Sequence, residues 1–305
     1  MVDGFLLIDK QTGPTSHDVV NSVRRLLGQK RVGHTGTLDP MATGLLIILL
    51  GKATRLAKWM QLADKTYTGA IKLGISTDTL DADGKIVLEE KCHARIDQIK
   101  AAAHSLTGEI SQRPPAFSAI KVNGTPAYRI AARGREVDIK LRKVRVSKYE
   151  VWVEEAGENP LIGFSISCSS GTYVRVLAAD LGSYLECPAH LASLRRTSVG
   201  KFNAKDSVTL EDMARWDDKG RNKQIKPMRA AIDMPEVQVF ETELKKMSEG
   251  QAIRGSQLAS GEMSIGSTAK LLHERTSQLV GLGKIVASGD KNNIMVKPFL
   301  VFLES

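Results

Sequence analysis

Residues 33–50 read GHTGTLDPMATGLLIILL, a glycine-rich polar loop that runs directly into six apolar residues. The apolar end, Leu45 to Leu50, is far too short to span a membrane and predicts a buried strand. Asp39 stands in the loop, immediately before Pro40. That pair is typical of a helix start, with aspartate as the cap and proline in the first helical position. Asp39 is therefore either a helix cap or a carboxylate that faces a ligand as nucleophile or base.

Helices and strands intermix along the chain without a regular strand–helix alternation. This mixture predicts an α+β fold, with a large mixed or antiparallel sheet and flanking helices, rather than a doubly wound parallel sheet. The polar stretch 219–226 suggests a linker, and residues after about 237 suggest a small, mostly β domain. Apolar periodicity and turn signals predict helices at 17–27, 54–60, 96–106, 127–132, 173–185 and 241–248, and strands at 4–8, 45–50, 66–74, 86–88, 144–153, 162–169, 191–199, 279–286 and 294–302.

The charge of the chain is concentrated in one segment. The net charge is +9 and the isoelectric point is about 9.4. Residues 121–148 contain nine basic and only two acidic side chains. Prolines and glycines interrupt residues 112–148, which predicts a long insertion rather than regular structure, and long loops in compact domains tend to be functional. A solvated face would mix the two signs, so this segment favours contacts with phosphates.

Several common classes of protein fit the sequence poorly. The three cysteines, Cys92, Cys168 and Cys187, are odd in number and widely spaced, which argues against a disulfide framework and a zinc knuckle. The histidines lack metal-ligand spacing. Residues 79–90 resemble a calcium loop only in part, because Thr79 occupies the first ligand position, and a tight hairpin is favoured instead. With no metal site, membrane span or secretory signal predicted, the expected location is the cytoplasm.

Two further stretches contain candidate functional residues. Arg175 falls in the first turn of a predicted helix, where the helix dipole disfavours a cation, so the sequence implies an anionic partner, most naturally a carboxylate. Tyr67 follows Lys65 and Thr66 at the start of a predicted strand. It is either a half-buried core residue or part of a site.

Taken in order, these segments resemble the pseudouridine synthases, and most closely the bacterial tRNA pseudouridine-55 synthases. The resemblance spans nearly the whole chain, with a weaker match in the C-terminal portion. One departure is Gln11, because the family often has proline after the lysine at that point. The matching segments are 4–10, 33–44, 65–67, 77–84, 112–121, 171–182 and 194–196.

The resemblance implies a role for each matching residue. Asp39 corresponds to the family's essential aspartate, and Arg175 to the arginine that pairs with it. Tyr67 corresponds to the tyrosine that stacks on the target base, and Leu194 to an apolar wall. His34 corresponds to the residue that fills the space left in the RNA by the extruded base. The same motifs and the basic segment suggest further substrate-binding residues, namely Lys10, Lys121, Arg133, Tyr173 and Arg196.

The implied function is isomerisation of uridine 55 in the tRNA T loop to pseudouridine, with base flipping and no cofactor. The implied domains are a catalytic domain at 1–233, which contains an RNA-clamping insertion at 112–148, and a small RNA-binding (PUA-like) domain at 234–305. The expected partner is tRNA through its T stem-loop, and we expect a monomer without a protein partner. Two alternatives stay open: a synthase that depends on a guide RNA, and a tRNA-folding chaperone or binding module.

Overall fold

The computed structural model describes residues 2–118, 120–122, 124–131, 133–135, 137–257, 264–288 and 294–303. Among the described residues, no helix has the length and apolar character needed to cross a bilayer. In chain order, the elements are β1 Gly4–Lys10, α1 Ser16–Leu27, β2 Val32–His34, β3 Thr43–Leu50, α2 Ala57–Gln61, β4 Lys65–Leu73, β5 Ile75–Thr77, β6 Ile86–Glu89, α3 Ile96–Ser105, β7 Gly108–Gln112, β8 Lys121–Val122, β9 Thr125–Pro126, α4 Ala127–Ala131, β10 Arg142–Glu155, β11 Leu161–Cys168, α5 Val174–Tyr184, β12 Ala189–Val199, β13 Phe202–Asn203, α6 Leu210–Arg215, α7 Asp218–Lys223, β14 Glu236–Val239, α8 Leu244–Ser248, β15 Ile253–Gln257, β16 Thr268–His273, β17 Leu279–Ser288 and β18 Ile294–Val301.

A nine-stranded sheet forms the centre of the molecule, with the order β1-β3-β12-β4-β11-β10-β7 and with β2 and β13 attached to β3 and β12. Its strands pair antiparallel except for β12 and β3, which run parallel with Arg195 opposite Thr43. The sheet is therefore mixed, and the predicted α+β class is confirmed. The parallel pair matters for the site, because it brings residues 194–196 beside the end of the loop that carries Asp39.

Both faces of this sheet are covered, which explains the uninterrupted apolar run in β3. On one face, Leu46 and Ile48 pack with α1, α3 and α5. On the other face, Leu45 and Ile47 join a second hydrophobic cluster with side chains from the C-terminal region, including Phe302. A strand that is buried on both sides needs apolar residues at every position rather than at alternate ones.

The C-terminal region is a closed barrel of β14, β15, β18, β17 and β16, so the predicted small β domain is confirmed. The sequence patterns had missed β14 and β15, which are short. The barrel meets the region of the central sheet at α2, where the rings of Trp59 and Phe299 stack with centroids 6.0 Å apart. The Arg55 guanidinium lies 5.4 Å from the ring centroid of Phe302.

Helix α1 forms because its ends are well specified. The Thr15 side chain accepts a hydrogen bond from the Asp18 amide, and the Asp18 carboxylate accepts one from the Thr15 amide. Gly28 ends the helix in the left-handed conformation (φ 60°). The predicted helix is thus confirmed, and its buried face places Ser16 against the loop that carries Asp39.

The interpretation of residues 219–226 as a linker is wrong. Helix α7 occupies most of this stretch, and Lys226 exchanges backbone hydrogen bonds of 2.8 and 3.0 Å with Phe5. The stretch is polar because α7 buries none of its residues, not because it is unstructured. The predicted helices at 54–60 and 241–248 are each split, because a 3-10 helix precedes α2 and α8.

Candidate active site

A cleft of about 970 Å³ opens at the edge where the Asp39 loop, the start of β4 and the start of α5 meet. Of the residues singled out in the sequence, the cleft brings seven together: His34, Asp39, Tyr67, Tyr173, Arg175, Leu194 and Arg196.

The loop around Asp39 is fixed on both sides. The Ser16 hydroxyl donates to the Leu38 carbonyl (3.0 Å) and accepts from the Leu38 amide (2.8 Å). On the other side, the Lys10 ammonium donates to the carbonyls of Pro40 (3.0 Å) and Ala42 (2.6 Å). No helix follows Asp39; a turn does, closed by the Ala42 amide on the Asp39 carbonyl (3.1 Å). The helix-cap interpretation of Asp39 is therefore wrong.

Arg196 supports the same loop from inside the protein. Its Nε donates to the Leu45 carbonyl (2.7 Å), and its Nη atoms donate to the carbonyls of Thr37 (3.3 Å) and Gly36 (3.1 Å). The residue is only 2% exposed. The strand beside it approaches so closely that a Cβ on Gly44 (φ 97°) would lie 2.3 Å from the Arg196 carbonyl oxygen, which explains the glycine there.

Arg175 lies between two carboxylates. Its Nη2 is 3.0 Å from Asp39 Oδ2 and its Nη1 is 3.3 Å from Asp81 Oδ2. The side chains of Arg175 and Asp81 are 7% and 6% exposed, whereas that of Asp39 is 35% exposed. The position of Arg175 in the helix implied an anionic partner, and the structure provides two carboxylates. One partner is buried, and the other faces the cleft.

Asp81 was missed by the reasoning from sequence, which placed it in a hairpin turn. The hairpin itself is confirmed, because β5 and β6 pair antiparallel. Leu80 adopts a left-handed conformation (φ 66°), which is unusual for a branched apolar residue. That conformation belongs to the turn whose next residue, Asp81, is buried against Arg175, while the Thr79 hydroxyl donates to Asp81 Oδ1 (2.5 Å). The only signal available in the sequence was the place of Asp81 in the segment 77–84, which resembles the family.

Opposing influences set the charge state of Asp39. Burial raises the pKa of its carboxyl above the ordinary value of 3.8, and the neighbouring Asp81 raises it further. The Arg175 guanidinium and, more weakly, the Lys10 ammonium lower that pKa. Burial also lowers the pKa of Lys10 to about 8. Arg175 is thus the principal group that favours the ionised form of Asp39.

Tyr67 and Leu194 form the inner wall of the cleft. Both are largely buried, at 8% and 9% exposure. Tyr67 pairs across the sheet with Arg196 on one side and Ile166 on the other, and its phenol lies near the Arg196 side chain. Burial is the main cause that raises the pKa of the Tyr67 phenol, which keeps it protonated near neutral pH.

His34 ends β2 at the cleft, close to His17 at the start of α1. Its Nδ1 accepts a hydrogen bond from the Gly36 amide (3.2 Å), so the neutral ring carries its proton on Nε2. Burial lowers the pKa of His34, and the charges of Arg196 and His17 lower it further. A neutral, flat imidazole therefore lines the cleft.

Two residues predicted to bind substrate, Lys10 and Arg133, lie outside the cleft. Lys10 is 1% exposed, and its ammonium is directed to carbonyls of the Asp39 loop, so it supports the loop from below. Arg133 is exposed on the insertion, beyond the residues that line the cleft. The backbone of Lys121 lies in β8, whereas its side chain is outside the described part of the chain. Among the described residues, no group of three or more His, Cys, Asp or Glu side chains is placed to hold a metal ion.

Comparison with known proteins identifies the family of the chain. A model of the TruB family pseudouridylate synthase N-terminal domain matches residues 24–174, and one of the tRNA pseudouridylate synthase B C-terminal domain matches 175–233. The tRNA pseudouridine synthase B of Geobacillus thermodenitrificans is 43% identical over 83% of this chain and 86% of its own. That of Aromatoleum aromaticum is 38% identical over 95% and 91%.

Among solved structures, a chain in an H/ACA RNP bound to a substrate RNA that contains 2'-deoxyuridine superposes with a TM-score of 0.73. It is 26% identical, and the match covers 99% of this chain and 85% of that one. Fold and family models together define the class of protein as a pseudouridine synthase, an isomerase. Within that class, the chain belongs to the TruB family.

Proposed function

We propose that this protein converts uridine 55 in the T loop of tRNA to pseudouridine, with Asp39 as the catalytic carboxylate. The observation that carries the proposal is the contact of Asp39 with Arg175, at the base of a cleft lined by Tyr67 and Leu194. The choice of tRNA rests on the relatives, whose printed name is tRNA pseudouridine synthase B.

The target base has to leave its stack before its glycosidic bond can be rearranged, and extrusion costs a few kcal/mol. The cleft offers two surfaces that would offset this cost. The Tyr67 ring would stack on the extruded uracil, and the His34 imidazole would occupy the vacated place in the loop. Stacking of a base on an aromatic ring contributes about 1–3 kcal/mol.

Asp39 would act in its ionised form, which Arg175 favours. The reaction breaks the bond from C1′ to N1 and forms a bond from C1′ to C5. C5 loses its hydrogen as a proton, and N1 gains a proton. No electrons are exchanged and no group is added, so the chemistry requires neither a redox partner nor a donor. The carboxylate is suited to attack on the ribose, attack on the ring or abstraction of a proton, and the proposal holds for each route.

The rest of the chain would hold the RNA. Residues 1–233 would form the catalytic domain, with the basic insertion at 112–148 as the clamp on the phosphates. Residues 234–305 would form a small RNA-binding domain of PUA-like type. Support comes from the exposed cations of the insertion, including Lys140, Arg142 and Lys143, and from the closed barrel at the C-terminus.

The test is conversion of unmodified tRNA, without guide RNA, by the wild-type protein and by Asp39→Asn. We expect pseudouridine at position 55 with the wild type, none with Asp39→Asn, and similar tRNA affinity for both. A tRNA with cytidine at position 55 serves as the substrate control. Conversion by Asp39→Asn at the wild-type rate would rule out the catalytic role of Asp39.

A second candidate, a synthase directed by a guide RNA, is favoured by the structural similarity to a chain of an H/ACA RNP. It predicts that conversion requires an added guide RNA that pairs around the target uridine. Conversion of tRNA without guide RNA would exclude this requirement. The chaperone alternative predicts that Asp39→Asn still accelerates the folding of unmodified tRNA although it forms no pseudouridine.

A further inference from the structure

The basic insertion leaves the central sheet at a single pair of residues. Gln112, the last residue of β7, lies opposite Arg142, the first residue of β10, and these are the terminal partners of the ladder between the two strands. The irregular part of the predicted insertion (112–148) therefore lies between Gln112 and Arg142, and the insertion's last residues, 142–148, belong to β10. A displacement of the insertion would therefore act on the sheet at this pair.

The Gln112 side chain connects this point to helix α5. It is 2% exposed, and its Oε1 accepts a hydrogen bond from the Tyr173 amide (2.7 Å) while its Nε2 donates to the Tyr173 carbonyl (3.1 Å). Tyr173 is the N-cap residue of α5, and its own side chain forms no capping hydrogen bond. The Tyr173 carbonyl also accepts the first bonds of the helix, from the amides of Val176 (3.1 Å) and Leu177 (3.2 Å). Gln112 thus fixes the first backbone unit of α5.

Arg175 follows Tyr173 by two residues, in the first turn of that helix. A second residue of the insertion, the buried Ser118, lies near the Tyr173 phenol without a hydrogen bond in the structure. The backbone of Tyr173 is therefore held by Gln112, and its side chain lies next to Ser118. The position of the Arg175 guanidinium between Asp39 and Asp81 depends on where α5 begins.

We propose that Gln112 is a positioning residue that couples the RNA-binding insertion to the catalytic pair, by fixing the Tyr173 backbone and thereby the placement of Arg175 against Asp39. This inference rests on the proposed function, since it assigns Arg175 to catalysis. It adds that RNA binding by the insertion is linked to the alignment of the Asp39 carboxylate. The link is the buried side-chain amide of Gln112.

The chain offers a matched control. Gln29 is 6% exposed, and its amide makes the same pair of bonds to a backbone unit, accepting from the Val2 amide (2.9 Å) and donating to the Val2 carbonyl (3.3 Å). Gln29 does not line the cleft. Gln112→Met and Gln29→Met each remove two hydrogen bonds of the same kind with little change in side-chain size.

The experiment measures single-turnover pseudouridine formation, tRNA affinity and thermal stability for the wild type and both variants. We expect Gln112→Met to slow the single-turnover rate by about tenfold to a hundredfold with little change in tRNA affinity, because a small displacement of a catalytic group costs about that much. The acid limb of its pH–rate profile should move to higher pH, because a displaced Arg175 no longer lowers the pKa of Asp39. Gln112→Glu, which keeps the acceptor for the Tyr173 amide, should recover part of the rate.

Gln29→Met should lose comparable thermal stability but keep the wild-type rate and pH profile. Equal rate losses in the two methionine variants, or a loss in Gln112→Met that appears only in tRNA affinity, would overturn the positioning role and leave the proposed function intact. A wild-type protein that forms no pseudouridine would instead overturn the proposed function.

Discussion

The cations beneath the cleft and the cations on the insertion have the same charge but opposite surroundings. Lys10, Arg175 and Arg196 are 1–6% exposed, and each directs its hydrogen bonds to carbonyls or carboxylates of the protein itself. Lys140 and Lys143, in contrast, are exposed on the insertion. The first group shapes the site, and the second is available to phosphates. We therefore expect burial, rather than the number of basic residues, to separate the cations that support the site from those that bind RNA.

The largest effect is expected at Arg175, because this buried cation contacts Asp39, the proposed catalytic carboxylate. Arg175→Lys cannot contact Asp39 and Asp81 together, so the single-turnover rate should fall by about 100- to 1000-fold. Arg175→Gln also removes the charge that lowers the pKa of Asp39. Its acid limb should therefore lie at higher pH than that of the wild type. Rapid-quench kinetics on tRNA across pH 5–9 measures both quantities, and a wild-type rate in either variant would contradict the assignment.

Arg195 and Arg196 sharpen the comparison, because they are neighbours in sequence with different burial. Arg196→Lys loses the three-carbonyl contact inside the protein and should lower the free energy of unfolding by about 2–4 kcal/mol. The Arg195 side chain is 41% exposed and pairs with Asp9 at 2.8 Å, so Arg195→Lys should cost only about 0–1 kcal/mol. Urea unfolding of the two variants measures the difference, and equal losses would remove burial as the explanation.

The lowered pKa of Lys10 predicts that the free energy of unfolding depends on pH. Its folded-state pKa is about 8, below the ordinary 10.5, so the unfolded chain binds the proton more tightly. Unfolding then takes up protons between about pH 8 and 10.5, and the free energy of unfolding should rise with pH in that window. Relative to Lys10→Met, the wild type should gain about 1–3 kcal/mol between pH 8 and 10. The pKa of Lys65 is likewise lowered to about 8. Its contribution to the free energy of unfolding is the same in both proteins and therefore cancels in the comparison.

The smallest effects are expected on the insertion. Lys140→Gln and Lys143→Gln should each weaken tRNA binding a few-fold and reduce the slope of log affinity against log salt concentration by about 0.9. Thermal stability and the rate at saturating tRNA should stay unchanged, because these side chains support nothing inside the protein. Lys100→Gln, an exposed lysine on α3, is the control. A salt slope that does not change in either insertion variant would argue against the insertion as the clamp.

The sequence predicted those parts of the fold that depend on neighbours in the chain. The capping signals of α1, the apolar run of β3 and the alternation of β4 all act within a few residues, and each element was located correctly. Helix α7 was mistaken for a linker because a short surface helix has no apolar periodicity to detect. The strands β14 and β15 are stabilised by closure of the barrel, which no local pattern reports.

The candidate site divides in the same way. The need of Arg175 for an anionic partner follows from its place in a helix, and that could be inferred locally. The identity of the buried partner, Asp81, could not, because 94 residues separate the two. The burial of Lys10 and Arg196, both predicted to bind substrate, could not be inferred from the sequence, because a basic residue in a motif gives no sign of whether it is buried. Their carbonyl partners become visible only once the sheet has been assembled.

The hydrophobic cluster shared by the sheet and the C-terminal barrel has a consequence for how the chain can be divided. Leu272, Leu282 and Phe302 of the barrel belong to the same cluster as Phe5 and Leu45 of the sheet. The predicted domain boundary at residue 233 therefore passes through one hydrophobic core. A chain cut there would leave part of that cluster facing water, so the two regions should melt together in a single transition, and neither should be transferable as an independent module.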